Sequence, residues 1–162
     1  MNTQIKSVEA INKLVGHFTE AWNHHEAERA IALFSPDYEG YDISEAAPRL
    51  GQQGAREWMQ RYFRAFPDMQ FKDGQTVVQG NRAAILWTAQ GTHRGYLLNI
   101  PPTGRTFAVR GVSFLTIANN QIQRGEYIWD LAELLRCIRL LPELHEHDSG
   151  QGRAVPIFFS ST

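Results

Sequence analysis

Proton transfer between carbon and oxygen needs a carboxylate, imidazole or phenol held away from bulk water, and a few positions in this chain could supply one. Asp130 falls between Trp129 and Leu131, where an apolar strand runs into an apolar helix. A carboxylate in such surroundings is poised to accept or donate a proton near neutral pH. The competing reading of the same spacing is a helix N-cap, in which Asp130 satisfies free backbone N–H groups of the segment that follows. His93 closes a strand ahead of a Gly/Pro-rich loop, where an imidazole could hydrogen-bond a carbonyl or shuttle a proton. Tyr41 and Asp42 are neighbours on a short strand, so only one of them can point inward. Arg110 shares a strand face with Val112, Phe114 and Thr116. Facing inward, this set would bind substrate, with the guanidinium paired to Asp130 or to a substrate carboxylate; facing outward, Arg110 is a solvated charge. Trp22, Trp58, Trp87 and Phe114 read as core, with some lining an aromatic pocket wall. His24-His25 lacks a carboxylate at ligand spacing and reads as capping or surface. His145-Glu146-His147-Asp148 holds metal-ligand types only in what reads as a tail.

The elements that must position these groups follow from the periodicity. Val8, Ile11, Val15, Phe18 and Trp22 form one stripe of a helix over residues 3–22. A second, shorter helix spans 26–34, a short strand 38–43, a loop 44–53 and a third helix 55–65. After Pro67 the period becomes strand-like. Strands are expected over 69–79, 82–93, 105–117 and 121–130, with a bend or bulge at Asp73-Gly74 and tight turns at Gly80-Asn81 and Asn119-Asn120. A final helix covers 131–141, before Pro142. Helices ahead of hairpin-linked strands imply an α+β fold. A strongly curved, mostly antiparallel sheet wrapped around the N-terminal helices would make a cone with an internal pocket. One domain covers residues 1–142, and 143–162 is a tail or a dimer-docking arm.

Composition narrows the chemistry. The 162 residues carry 16 basic and 17 acidic side chains, a formal charge of −1 that gives no footprint for nucleic acid or an anionic membrane. Cys137 is the sole cysteine, which excludes an internal disulfide and a cysteine zinc site. No apolar run reaches membrane-spanning length, and residues 1–10 lack the order of a signal peptide, so a cytoplasmic setting is expected. There is no P-loop, no dinucleotide fingerprint after a strand, no nucleophile elbow around Ser113 and no H-E-x-x-H. The expectation is a pocket protein that uses no cofactor and no metal.

Six blocks in order carry a family resemblance: Trp22-Asn23-His24-His25, Leu33 to Tyr38, Ala65 to Met69, Gly91 to Gly95, Ile100 to Arg105, and Trp129-Asp130-Leu131. Across roughly residues 10–141 the chain resembles the SnoaL-like polyketide cyclases, also called ester cyclases. The resemblance implies a nuclear-transport-factor-2-like cone, commonly a homodimer, with a hydrophobic pocket between sheet and helices. It also implies a cofactor-independent cyclase or isomerase acting on an apolar, oxygenated, polyketide-like small molecule. The family's acid/base aspartate maps onto Asp130; beside it His93 could return a proton, and Tyr41 and His93 could stabilise the developing oxyanion. Relatives commonly read Asn-His-Asp where this chain has Gly40-Tyr41-Asp42, which puts Tyr41 at the position of a pocket histidine and makes it the expected inward residue. The same scaffold also carries hydrolases or dehydratases that activate water, and non-catalytic small-molecule binders.

Overall fold

The computed structural model describes residues 2–145. Helix α1 (Asn2–Asn23) leads to the short α2 (Ala27–Ile31), strand β1 (Phe34–Asp42), a two-residue β2 (Arg49–Leu50) and helix α3 (Gly51–Ala65). Then come β3 (Gln70–Gln79), β4 (Arg82–Thr92), β5 (Thr106–Ala118), β6 (Gln121–Trp129) and α4 (Leu131–Cys137). The strands form one sheet in the order β2-β1-β6-β5-β4-β3, antiparallel except for the β1–β6 pair. This is the expected α+β architecture, a four-stranded meander with one earlier strand added beside its last member. No helix of the described residues is long and apolar enough to cross a membrane.

Local chemistry explains the joints. Asn119 and Asn120 have φ of 50° and 63°, the pair of left-handed residues that a two-residue hairpin requires and that Asn tolerates best. The register of β3 on β4 slips between Lys72 and Gln75, at the expected bend. Three boundaries differ from the sequence reading. The second helix stops at Ile31, because Phe34 opens β1; Leu33 accepts a hydrogen bond from the Ile122 amide and the chain joins the sheet instead. Helix α3 begins at Gly51, whose φ of 65° turns the chain out of β2 without a Cβ penalty. The last helix ends at Cys137 rather than near 141, because Arg139 takes φ of 61°. The tail reading and the acidic-histidine run beyond His145 lie outside the described residues.

Alternation decides which face each strand presents. On β5, Phe107, Val109, Ser113, Leu115 and Ile117 are buried, whereas Ala108, Arg110 and Phe114 face outward. On β1, Tyr38, Gly40 and Asp42 point in, and Glu39 and Tyr41 point out. The buried face packs against α1 and α3, with Phe18, Trp22, Trp58 and Met59 in the core.

Candidate functional site

A cavity of ≈ 100 Å³ lies between the sheet and the helices. Phe18, Thr19 and Trp22 of α1, Trp58 and Tyr62 of α3, and Leu134 of α4 line it from the helical side. The sheet contributes Asp42, Phe71, Ile85, Trp87, Val109, Ser113, Tyr127 and Trp129, among others. Lys72 and Gly74, both exposed, mark where the lining meets solvent at the β3 bulge.

Asp42 is the one carboxylate among the lining residues, and it is 5% exposed. Five donors converge on it. Oδ1 accepts from Trp129 Nε1 at 3.0 Å, from the Ser44 amide at 2.9 Å and from Ser44 Oγ at 2.6 Å. Oδ2 accepts from Trp58 Nε1 at 3.0 Å and from the Tyr62 hydroxyl at 3.2 Å. Buried charge is tolerated only when hydrogen-bonded in this way. Burial, with the Asp42 charge beside it, raises the Tyr62 phenol above its ordinary range, so Tyr62 stays protonated and donates. The Arg49 guanidinium stands 5.2 Å from the Trp58 ring centre, on the face of the indole, and meets Glu45, which Arg61 also pairs. Burial pulls Arg49 below the usual guanidinium range.

Glycines make room for the rings that floor the site. Tyr38 lies over Gly40, and Tyr127 over Gly125; the two hydroxyls meet at 3.0 Å, and burial drives both phenols upward. Gly111 stands between Trp87 and Trp129 in the β4–β5–β6 register, and any Cβ there would collide with both side chains. That gap lets each indole reach a cavity oxygen: Trp129 donates to Asp42, and Trp87 donates to Ser113 Oγ at 2.9 Å.

The residues singled out in the sequence separate into two groups. Trp22, Trp58 and Trp87 line the cavity. Asp130 does not: its side chain is exposed and accepts from the Glu133 amide at 2.8 Å, the N-cap arrangement of α4. The apolar neighbours that suggested burial turn other ways, Trp129 into the cavity and Leu131 against the core. Tyr41 is 36% exposed and points outward, its hydroxyl donating to Glu39 and its ring under Arg124. The inward neighbour is Asp42. Arg110, Phe114 and Thr116 occupy the outer face of β5, away from the cavity. His93 is fully buried but off the cavity lining, packed against Phe66 at 5.5 Å. Its Nδ1 accepts from the Thr103 amide at 3.3 Å, which places the proton on Nε2, and desolvation lowers its pKa. His93 thus ties the 94–104 loop to the sheet.

Asp42 was within reach of sequence reasoning. An inward Tyr38 and an outward Glu39 fix the parity that buries Asp42, and Asp42-Ile43-Ser44 has the spacing of an Asx-turn, in which the Asp side chain accepts from the amide two residues on. Among the described residues no group of three metal-ligating side chains gathers.

The fold recurs in solved structures. AclR from Streptomyces galilaeus superposes with a TM-score of 0.75 at 22% identity, over 86% of this chain and 90% of its own. TsrD from Streptomyces laurentii gives 0.74 at 25%, over 82% and 97%. A Catenulispora acidiphila DSM 44928 protein with a ketosteroid isomerase-like fold, in complex with trimethylamine, gives 0.69 at 17%, over 78% and 92%. No curated protein matches the chain. The SnoaL-like polyketide cyclase family model matches residues 12–138, which takes in every residue that lines the cavity, and the chain belongs to that family.

Proposed function

We propose that this protein is a cofactor-independent cyclase or isomerase that moves a proton on an apolar, oxygenated, polyketide-like small molecule, with Asp42 as the general acid/base. The observation that carries this reading is the placement of Asp42 as the one carboxylate lining an otherwise aromatic and aliphatic cavity. Removing a proton α to a carbonyl needs a base in a water-poor site that also holds one reactive conformer of the ligand. The Tyr62 bond to Oδ2 is the longest of the five, so Oδ2 is the oxygen a ligand C–H would approach as the phenol turns aside. The acid/base role inferred for Asp130 from family position passes to Asp42, to which Trp129, the residue before Asp130, donates.

The test needs no natural substrate. 2-Indanone in deuterated buffer should exchange its α-protons faster with the wild-type protein than without it. Asp42→Asn should return the rate to the buffer level. A ligand bound tightly, with exchange no faster than in buffer, would instead select a carrier or sensor. That second reading draws on the five donors already occupying the Asp42 oxygens.

The outer sheet face is apolar as well: Leu86, Val112 and Ile128 lie in one register row, with Phe114 and Val77 beside them, and Phe114 is 49% exposed. A second copy of the chain is the proposed cover, giving a homodimer.

A further inference from the structure

The acid/base reading leaves two buried polar groups of the cavity without a task, the Trp22 indole N–H, which has no partner among the described residues, and the Ser113 hydroxyl. Ser113 is buried, lines the cavity and accepts from Trp87 Nε1 at 2.9 Å, yet its own O–H meets no acceptor among the described residues. A buried hydroxyl whose proton has no partner is costly, and polar groups so placed in an apolar cavity usually complete their bonding with a ligand. Its position relative to Asp42 is set by the sheet. Asp42 pairs with Tyr127 and Tyr127 with Ser113, so the three share one row and all face the cavity. Two strand spacings separate the Cα atoms of Asp42 and Ser113 by about 10 Å, with the Tyr127 backbone between them.

That span suits one chemical arrangement. In an enolising ketone, the base oxygen lies about 3 Å from the α-carbon and the donor about 2.8 Å from the carbonyl oxygen. Because the base approaches across the carbonyl plane and the donor lies in it, base and donor stand roughly 6 Å apart. Two inward side chains rooted about 10 Å apart can meet that requirement.

We propose that Ser113 is the hydrogen-bond donor to the ligand's carbonyl oxygen, and hence that the ligand presents a ketone or thioester carbonyl over Tyr127 with an acidic α C–H towards Asp42. This inference rests on the acid/base reading of Asp42. In the step, the Asp42 carboxylate takes the α-proton, the C–H pair becomes the C=C bond of the enolate, and the carbonyl oxygen gains the negative charge. Ser113 keeps its proton and shares it with that oxygen, and Asp42 returns its proton to carbon. Trp87 is a positioning residue. Its N–H fills one lone pair of Ser113 Oγ, which fixes the hydroxyl and strengthens it as a donor. Gly111 leaves the space in which the Trp87 indole lies.

The experiment uses 2-indanone with two readouts, α-proton exchange by NMR and the carbonyl stretch of the bound ketone by difference infrared spectroscopy. With wild type the band should shift to lower frequency. Ser113→Ala should bind the ketone, lose that shift and exchange about 10²-fold more slowly, the usual loss for one donor to a developing oxyanion. Ser113→Thr keeps the hydroxyl and should restore the shift. Trp87→Phe keeps a ring but not the N–H and should leave a broader, smaller shift. A Ser113→Ala protein with an unchanged band, or a wild type whose bound ketone is unshifted or that binds none, overturns the proposal. Wild-type exchange no faster than Asp42→Asn, with the Ser113-dependent shift intact, overturns the acid/base reading and leaves Ser113 as a carbonyl-binding contact.

Discussion

Replacing Asp42 by Asn separates a carboxylate that organises the site from one that merely occupies it. The change removes a charge and converts one acceptor oxygen into an NH2 donor. If the amide oxygen replaces Oδ1, it keeps Trp129 and both Ser44 donors, and the NH2 faces Trp58 Nε1 and the Tyr62 hydroxyl. Tyr62 can rotate its proton away and accept from the amide; the indole N–H of Trp58 has no such freedom. One buried donor is therefore orphaned, at about 1–3 kcal/mol, and the remaining bonds fall from charge-assisted to neutral strength. Relief from burying a charge offsets part of this, so the net loss should be about 2–4 kcal/mol. Urea unfolding should show a lower midpoint with an unchanged slope. The chain has four tryptophans, which makes the indole region of a nitrogen–proton NMR spectrum a direct witness. The Trp58 and Trp129 signals should move strongly in the variant. Those of Trp87, bonded to Ser113, and Trp22, without a partner among the described residues, should barely move. An equally stable variant, or four indole signals shifting alike, would refute the convergence on Asp42.

Three further outcomes follow from the packing. Gly111→Ala drives a methyl group into the Trp87 and Trp129 side chains and should cost about 1–3 kcal/mol; combining it with Trp87→Leu should recover part of the loss, measurable as a non-additive shift in unfolding midpoint. His93 has a folded-state pKa lowered by burial, so the unfolded chain binds its proton first. Stability should be full above about pH 6.5 and fall as the pH drops through the lowered value, by at most about 1.4 kcal/mol per pH unit. His93→Asn, which keeps an acceptor for the Thr103 amide, should flatten that slope in urea titrations at different pH, and an unaltered slope would assign it elsewhere. Phe114→Asp on the outer face should halve the mass seen by light scattering while leaving the circular dichroism unchanged; a wild type already at monomer mass would remove the dimer.

The fold was readable because its local signals agree with its global arrangement. The helical stripe ending at Trp22, the Asn119-Asn120 turn and the bend at Asp73-Gly74 each state one geometric fact that survives in the structure. Face assignment was the weaker link, for a physical reason. On β5 both alternating sets are apolar, Val109-Leu115-Ile117 on one side and Val112-Phe114 on the other, so hydrophobicity does not tell inside from outside. Arg110, Phe114 and Thr116 share the outward set. On β1 the parity was legible, since Tyr38 and Glu39 differ sharply in polarity, but family position favoured Tyr41 over it. The parallel pairing of β1 with β6 joins residues 85 positions apart and left no local trace, yet it brings Asp42 beside Tyr127.

The two aspartates show how one composition supports opposite roles. Asp130 follows an indole and precedes a leucine, but the strand ends at Trp129 and the chain turns, so its carboxylate caps a helix in solvent. Asp42 follows an exposed tyrosine and precedes an exposed isoleucine, surroundings that look polar in sequence, and is nevertheless buried beneath four aromatic rings from two other elements, α3 and β6. Burial is set by the register with β6 and by the side chains that α3 lowers onto β1, neither of which adjoins Asp42 in the chain. The donors follow the same logic. Only Ser44 is local, whereas Trp58, Tyr62 and Trp129 arrive from 16, 20 and 87 residues away. A site assembled chiefly from long-range donors forms only when the sheet and α3 are both in place. Ligand binding and global stability should therefore fall together in variants of Trp58 and Tyr62, while Ser113, which no other element leans on except Trp87, can change the chemistry and leave the fold intact.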